Sequence, residues 1–386
     1  MLQSQKHLFS LRPDIHYLNC AYKAPLLKSA EAAALKSLER ERNPIDITPA
    51  DFFKDANEVR EKFGQLVNCK PSEVAIIPST SYGLANVLNN VPSEYGDHAI
   101  TVQHEFPSDY FAINRWCETH NAELKIIAPD DSLDLPAEDF NNRIIETITD
   151  RTAVVVLSSI HWMNGLKFDL ERIGERCAQA GAYLIVDGTQ SVGAMQMDVK
   201  RFKIDALICA GYKWLFGPYS LGLAYIGPRF NGGAPIEESW MNRTNAENFA
   251  SLTNYDHNYT PNAGRYNVGE MSNFILMPML NESLRQLNEW TVPAIEAYCK
   301  NLIQPLKEYL IGEGLSFEKD PYFCNHLFAL KPPAGVNMDT LRENLATAKI
   351  YLSVRGASLR LSVNVFNTEE DIAKLIEVIK KTKVTS

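Results

Sequence analysis

The chain has 386 residues, 45% hydrophobic and 22% charged, and carries a formal net charge of −9. That length exceeds one ordinary hydrophobic core and predicts two domains of a globular protein. The acidic balance, without any basic run, excludes nucleic acid and an anionic membrane surface as expected partners.

The N-terminus, MLQSQKHLFSL, lacks the apolar core of a secretory leader, and no run is long enough to span a bilayer. Seven scattered cysteines (Cys20, Cys69, Cys117, Cys177, Cys209, Cys299, Cys324) show no CxxC or zinc-ligand spacing. They read as reduced thiols, so the expected compartment is the cytoplasm and no metal is expected.

Residues 1–15 read as a polar arm. A short strand-like piece and a loop follow over His16–Leu27, then a helix over Ser29–Glu41. Pro49–Val67 has helical periodicity, with Phe52, Phe53, Val59, Phe63 and Val67 apolar among charges. Val74–Ile77 reads as a strand, and Ser79, Thr80 and Ser81 lie between it and a helix starting near Tyr82. Hydroxyls at a helix N-terminus make either an anion site or a plain cap. His98–Val102, Glu123–Ile127 and Ala153–Ile160 are further strands, with a helix within Leu133–Thr149. The amphipathic helix Asp169–Ala180 leads to strands at Tyr183–Val186, Asp205–Ala210 and Leu221–Ile226. This alternation predicts a mostly parallel sheet covered by helices, with its site just beyond the strand ends.

Asn231–Asn262 is polar, contains aromatics and has weak periodicity; loops of such length are functional or interfacial. Two long amphipathic helices, Met277–Glu289 and Val292–Ile311, mark the passage to a smaller domain. The expected division is 16–275 for a large α/β domain and 276–386 for a small α+β one, the arm packing on either. Leu315–Glu318, Leu327–Leu330 and Leu359–Val365 read as half-exposed strands, and Glu369–Lys381 as the last helix.

The chemistry concentrates in Tyr183–Pro218. One strand delivers Asp187 to its tip and the next delivers Lys213, so an acid and an amine share one crevice. Alone, that pair reads as a surface ion pair of little worth. However, Lys213 stands between Tyr212 and Trp214 in a segment flanked by Gly211, Gly217 and Pro218. Desolvation among aromatics lowers an amine's pKa, and a neutral amine can form a Schiff base. A nearby aspartate is the partner that a protonated pyridine nitrogen needs. Together they point to pyridoxal phosphate.

VDGTQSVG followed by GYKWLFGP resembles the class V aminotransferase family, which includes cysteine desulfurases, kynureninase and isopenicillin N epimerase-like proteins. The resemblance runs from about Tyr17 to Ile379. It implies an α/β, aspartate-aminotransferase-like (fold type I) architecture: a large, mostly parallel sheet domain and a smaller α+β C-terminal domain. By resemblance Lys213 is the Schiff-base lysine, Asp187 pairs with the pyridinium nitrogen, and Gln190 binds the cofactor's ring hydroxyl. Thr80 and Ser81 then stand in the phosphate loop, with Tyr212 also reaching the phosphate. Phe106, within HEFPSDYF, is the best match for the residue stacked on the ring, although His104 and Pro107 are close in register. Trp162, where some relatives carry Asn, falls near the ring hydroxyl and the substrate. Tyr17, Asn19 and Ala21 match a segment near the substrate site.

Arg360 alone reads as an ordinary strand arginine. Within RxSxxxxN (Arg360, Ser362, Asn367) it resembles the family's clamp on the substrate carboxylate, with Arg355 a weaker second. Asn273, in RYNVGEMSN, matches a segment that reaches the neighbouring subunit, which implies a homodimer with shared sites. Glu270 stands there where desulfurases often have Thr.

The expected activity is a pyridoxal-phosphate enzyme acting on an amino acid, an aminotransferase with a keto acid acceptor. The alternatives are a cysteine desulfurase or selenocysteine lyase-like enzyme, another C–S or C–C lyase, or an epimerase. No cysteine lies between Leu327 and Leu359, where many desulfurases carry their nucleophile. Tyr212 and Ala210, where desulfurases have His and often Ser, lean toward the kynureninase and epimerase-like side. A non-catalytic homodimer retaining the fold would have lost the lysine, aspartate or arginine. All three are present.

Overall fold

The structure, a computed structural model, describes residues 2–355 and 358–383, with the side chains of Tyr95 and Arg355 excepted. The Arg355 candidate therefore lies outside the described side chains.

In chain order the elements are β1 (His16–Tyr17), α1 (Lys28–Glu41), α2 (Asp51–Val67), β2 (Val74–Ile77), α3 (Thr80–Leu88) and β3 (His98–Val102). They continue as α4 (Pro107–His120), β4 (Glu123–Ile127), α5 (Ala137–Thr147), β5 (Thr152–Ser158), α6 (Leu170–Ala180), β6 (Tyr183–Asp187) and β7 (Ala206–Ala210). Then come β8 (Gly222–Ile226), α7 (Leu276–Trp290), α8 (Val292–Gly312), β9 (Leu327–Leu330) and α9 (Met338–Thr347). The chain closes with β10 (Ile350–Tyr351), β11 (Ser353–Arg355), β12 (Ser358–Ser362) and α10 (Glu369–Thr382).

A seven-stranded sheet in the order β2-β8-β7-β6-β5-β3-β4 forms the centre. β8 is antiparallel to both its neighbours, and every other pairing is parallel. Six strands therefore point the same way, and the C-terminal ends of β2, β3, β5, β6 and β7 open on one edge. The strands are continuous apolar runs because both faces are covered. Alternate residues enter two separate clusters. Val155, Leu157, Leu184 and Val186 join the face covered by α2, α5 and α6, whereas Val154, Val156 and Ile185 join the face under α3 and α4. Each such aliphatic side chain contributes about 1.5–3 kcal/mol by leaving water.

A three-stranded antiparallel sheet, β11-β12-β9, lies in the C-terminal part. Leu315–Glu318 pairs with no strand and is irregular. Its alternation is real, with Leu315 and Phe317 packed on the core, but an apolar face does not make a strand without a ladder partner. The N-terminal arm is tied down: Phe9 packs 5.4 Å from both Phe216 and Phe366, ring centre to ring centre. Among the described residues no helix is long and apolar enough to cross a membrane, and no cluster of His, Cys, Asp or Glu could hold a metal ion.

Candidate active site

The strand ends enclose a cavity of about 320 Å³. The turn after β2 brings Thr80 and Ser81 to it, the turn after β3 brings Phe106, and the loop after β5 brings Trp162. β6 delivers Asp187 and Gln190, and the loop after β7 delivers Tyr212 and Lys213. Residues more than a hundred positions apart thus share one chamber because their strands run parallel in one sheet.

Lys213 is 7% exposed, with Nζ 5.8 Å from the centre of the Phe106 ring and 5.7 Å from that of Tyr212. Burial pulls its pKa down to about 8, and the charge of Arg360 adds to this while Asp187 opposes it. The loop that presents it is tight. Gly193 has φ +96°, and a β-carbon there would stand 2.5 Å from the Trp214 carbonyl oxygen. Only glycine lets the chain after β6 pass so close to the lysine loop.

Asp187 is buried, and Oδ1 accepts the Thr189 N–H at 2.7 Å. Burial raises its pKa and the Thr189 hydrogen bonds oppose the rise. Gln190 Oε1 accepts the Trp214 indole N–H at 2.9 Å, and Nε2 donates to the Ala21 carbonyl at 3.3 Å. Behind Gln190, His326 Nε2 contacts the Gln190 carbonyl at 2.8 Å, and Cys324 Sγ is 3.3 Å from His326 Nδ1.

Ser79 is the cap of α3, its Oγ accepting the Tyr82 N–H at 3.2 Å. Thr80 and Ser81 occupy the first turn, where backbone N–H groups lack partners within the helix. The cap reading and the anion reading therefore fall on different residues.

Phe106 and Trp162 meet edge to face, 5.7 Å apart at 87°. The Trp162 indole N–H donates to the His104 carbonyl at 2.8 Å, so His104 turns its backbone, at φ +58°, toward this wall. Arg360, on the middle strand of the small sheet, is 2% exposed and donates from Nη1 to the Trp162 carbonyl at 2.8 Å. This approach depends on Gly165, at φ +77°, where a β-carbon would fall 2.1 Å from the Leu327 carbonyl oxygen. Arg360 stands behind the Trp162 loop and is not among the residues that line the cavity. Its motif companions hold backbone instead. Ser362 Oγ accepts from Ala21 N at 2.9 Å, and Asn367 Nδ2 donates to the Tyr17 carbonyl at 2.8 Å.

Asn273 lies elsewhere in the chain's own fold. It lines a second cavity with Phe52, Trp240 and Glu270, and Oδ1 caps the start of α7 through Leu276 N at 2.8 Å.

Two acids at the site escape sequence reasoning. Glu105 and Asp109 are both buried. Glu105 accepts from the N–H of Phe106 and of Ser158, each at 2.7 Å, and burial still pushes its pKa up to about 7. Asp109 sits in the first turn of α4; burial and then the charges of Asp187 and Glu105 raise its pKa well above the ordinary range. Acids in a first helical turn ordinarily complement the helix dipole at the surface. Nothing local in EFPSD distinguishes these from that case.

The residues fit a phosphorylated pyridine aldehyde: a helix N-terminus lined by hydroxyls, a buried acid, aromatic side chains and one desolvated amine. The comparisons agree. The chain is 24% identical to an uncharacterized aminotransferase, YcbU, of Bacillus subtilis over 83% of this chain and 82% of that one. It is 22% identical to isopenicillin N epimerase of Streptomyces clavuligerus, over 96% and 95%. Among solved structures, C-DES, a lysine mutant with glycine covalently linked to its PLP cofactor, superposes with a TM-score of 0.83 at 17% identity, covering 98% of this chain and 99% of that one. The fold is therefore fold type I. The aminotransferase class-V family pattern matches residues 46–315, which include all seven strands of the central sheet, and the chain belongs to that family of pyridoxal-phosphate proteins.

Proposed function

We propose that the cavity binds pyridoxal 5'-phosphate and that the protein moves an amino group from an amino acid to a keto acid. When bound, the cofactor supplies an electron sink for the pair released at the substrate's α-carbon. Lys213, with its pKa near 8, has an appreciable neutral fraction at neutral pH and is the group that would attach the cofactor. Once freed by substrate, the same Nζ can take the α-proton. Asp187 would hold a proton on the pyridine nitrogen, and Phe106 would lie against the ring. Gln190 has one amide hydrogen left for the ring hydroxyl. Thr80, Ser81 and Tyr212 would hold the phosphate, and Arg360 the substrate carboxylate.

The observation that favours transfer over a desulfurase with its own cysteine nucleophile is the burial of the thiols. Six of the seven cysteines are buried and Cys69 is half-buried. Burial pushes Cys20, Cys69 and Cys324 up to about 12 and Cys117 to about 11. A persulfide-forming nucleophile needs a thiolate, and these sites withhold it.

The reading extends to a cytoplasmic homodimer of two-domain subunits, in which the segment carrying Asn273 reaches the partner's site. Sedimentation of purified protein tests the dimer. Incubation with pyridoxal phosphate, amino donors and 2-oxo acids tests the reaction. Transfer yields a new amino acid and a new keto acid in equal amounts. Ammonia, sulfide or a cleaved side chain in their place would assign the lyase reading, and inverted stereochemistry the epimerase.

A further inference from the structure

We propose that Trp214 is a positioning residue: its indole N–H fixes the Gln190 amide so that nitrogen, not oxygen, serves the cavity. The cofactor's ring hydroxyl is then held at Gln190 as a hydrogen-bond acceptor. This rests on the pyridoxal phosphate reading above and deepens it.

Polarity decides how the amide is turned. Gln190 is 4% exposed and lines the cavity. Oε1 accepts the Trp214 indole N–H at 2.9 Å, and Nε2 donates to the Ala21 carbonyl at 3.3 Å. An indole nitrogen only donates and a carbonyl only accepts, so neither contact survives if the amide turns over. Turned, it would set N–H against N–H and oxygen against oxygen in a dry place, which is costly. As it stands, one amide hydrogen is left for a ligand.

The indole is itself held. Trp214 is wholly buried, and its ring lies 4.4 Å from that of His326 at 74°. His326 Nε2 meets the Gln190 backbone carbonyl at 2.8 Å, so residue 190 is gripped through its backbone and its side chain together. The close approach of Gly193 to the Trp214 carbonyl fixes the backbone on the other side.

The chemistry of the ring calls for such a link. In pyridoxal phosphate the aldehyde and the hydroxyl stand on neighbouring carbons. The amine that takes the aldehyde and the group that meets the hydroxyl must therefore lie side by side. Trp214 follows Lys213 directly in the chain and bonds Gln190, which ties the loop after β7 to the loop after β6. A donor at this point favours the ring oxygen without its proton.

The test compares pyridoxal phosphate with 3-deoxypyridoxal phosphate, which lacks the ring hydroxyl, by equilibrium dialysis against cofactor-free protein. The ratio of the two dissociation constants should favour pyridoxal phosphate several-fold more in wild type than in Trp214→Phe, the worth of one hydrogen bond. That variant keeps a buried ring and loses only the N–H. Gln190→Ala should lower the ratio as far, and the double variant no further, because the two residues act as one unit. A merely structural indole weakens both compounds alike, so a wild-type ratio in Trp214→Phe would overturn the proposal. If Trp214→Phe does not fold, Gln190→Glu decides. Its carboxylate still accepts from the indole and has no hydrogen for the ring oxygen, so the preference should vanish; a retained preference would overturn the proposal. An equal ratio in wild type and Gln190→Ala, with both compounds bound, removes this inference alone. Protein that binds neither compound fails at the underlying reading, and the inference falls with it.

Discussion

Asp109 lies wholly out of water against Asp187, and a hydrogen bond between the two carboxyls raises the pKa of Asp109 and lowers that of Asp187. Two acids this close do not both ionise readily in a dry site. Asp187 has the Thr189 N–H to stabilise its charge, so Asp109 is the one that keeps a proton. Its pKa is raised in the folded protein, so the folded chain binds more protons than the unfolded one once pH exceeds about 4. Stability therefore falls as pH rises through that window. Asp109→Asn imitates the protonated acid and removes this loss. In urea unfolding of cofactor-free protein, the variant should match wild type near pH 4. It should then gain on wild type by at most about 1.4 kcal/mol per pH unit above that. A variant less stable than wild type at pH 7 would mean that Asp109 is ionised and paired.

Lys213 gives the second prediction. With its pKa at about 8, against 10.5 for an ordinary lysine, its neutral fraction grows with pH around 8. Trapping of pyridoxal phosphate by borohydride should follow that curve, and the midpoint is read from the reduced adduct at each pH. Asp187 favours the charged amine and Arg360 opposes it. Asp187→Asn should therefore lower the midpoint, and Arg360→Gln should raise it. A wild-type midpoint near 10 would mean that the lysine is solvated.

Much of this site was legible because its parts sit at the ends of short apolar runs. Val74–Ile77, His98–Val102 and Glu123–Ile127 match their expected bounds, since turn residues fence them on both sides. Lys213 and Asp187 were legible for the same reason, Asp187 directly after the run Tyr183–Val186 and Lys213 three residues after the run that ends at Ala210. Asp109 was not, because its partner Asp187 is remote in sequence and only the sheet brings them together. Likewise, the link from Arg360 to Trp162 depends on a glycine, Gly165, whose positive φ no periodicity records. The helix over Pro107–His120 carries too many polar residues for its apolar stripe to stand out, although Ile113 and Trp116 do face the core.

The α3 N-terminus separates stability from ligand binding. Ser79 Oγ is used as the cap, so Ser79→Ala should cost about 1 kcal/mol of stability. Ser81 Oγ rests 3.0 Å from Ser79 Oγ, and Thr80 Oγ1 is 3.5 Å from Thr189 Oγ1. Neither hydroxyl is needed to start the helix. Thr80→Ala and Ser81→Ala should weaken pyridoxal phosphate several-fold while leaving pyridoxal, which lacks the phosphate, nearly unchanged. Dissociation constants for the two compounds decide it; equal losses for both would place the hydroxyls at the ring.

His326 supplies the last prediction, because burial keeps it neutral while it donates to the Gln190 carbonyl. Nε2 faces the Gln190 carbonyl at 2.8 Å and must carry the hydrogen, which leaves Nδ1 to accept from Cys324 Sγ at 3.3 Å. A proton on Nδ1 would place a charge in a wholly buried pocket against Trp214, whose ring lies 4.4 Å away. Burial accordingly pulls the His326 pKa down to about 4, from an ordinary 6.5. Between those values the unfolded chain binds a proton that the folded one does not, so this contribution is complete above about 6.5 and is lost as pH falls toward 4. The loss amounts to about 3 kcal/mol over the window. His326→Gln can still donate to the Gln190 carbonyl and cannot be protonated. It should be less stable than wild type at pH 7, and the gap should close on acidification. Urea midpoints at pH 7 and pH 4.5 measure both, and parallel losses in the two proteins would show that this imidazole titrates as it does in the unfolded chain.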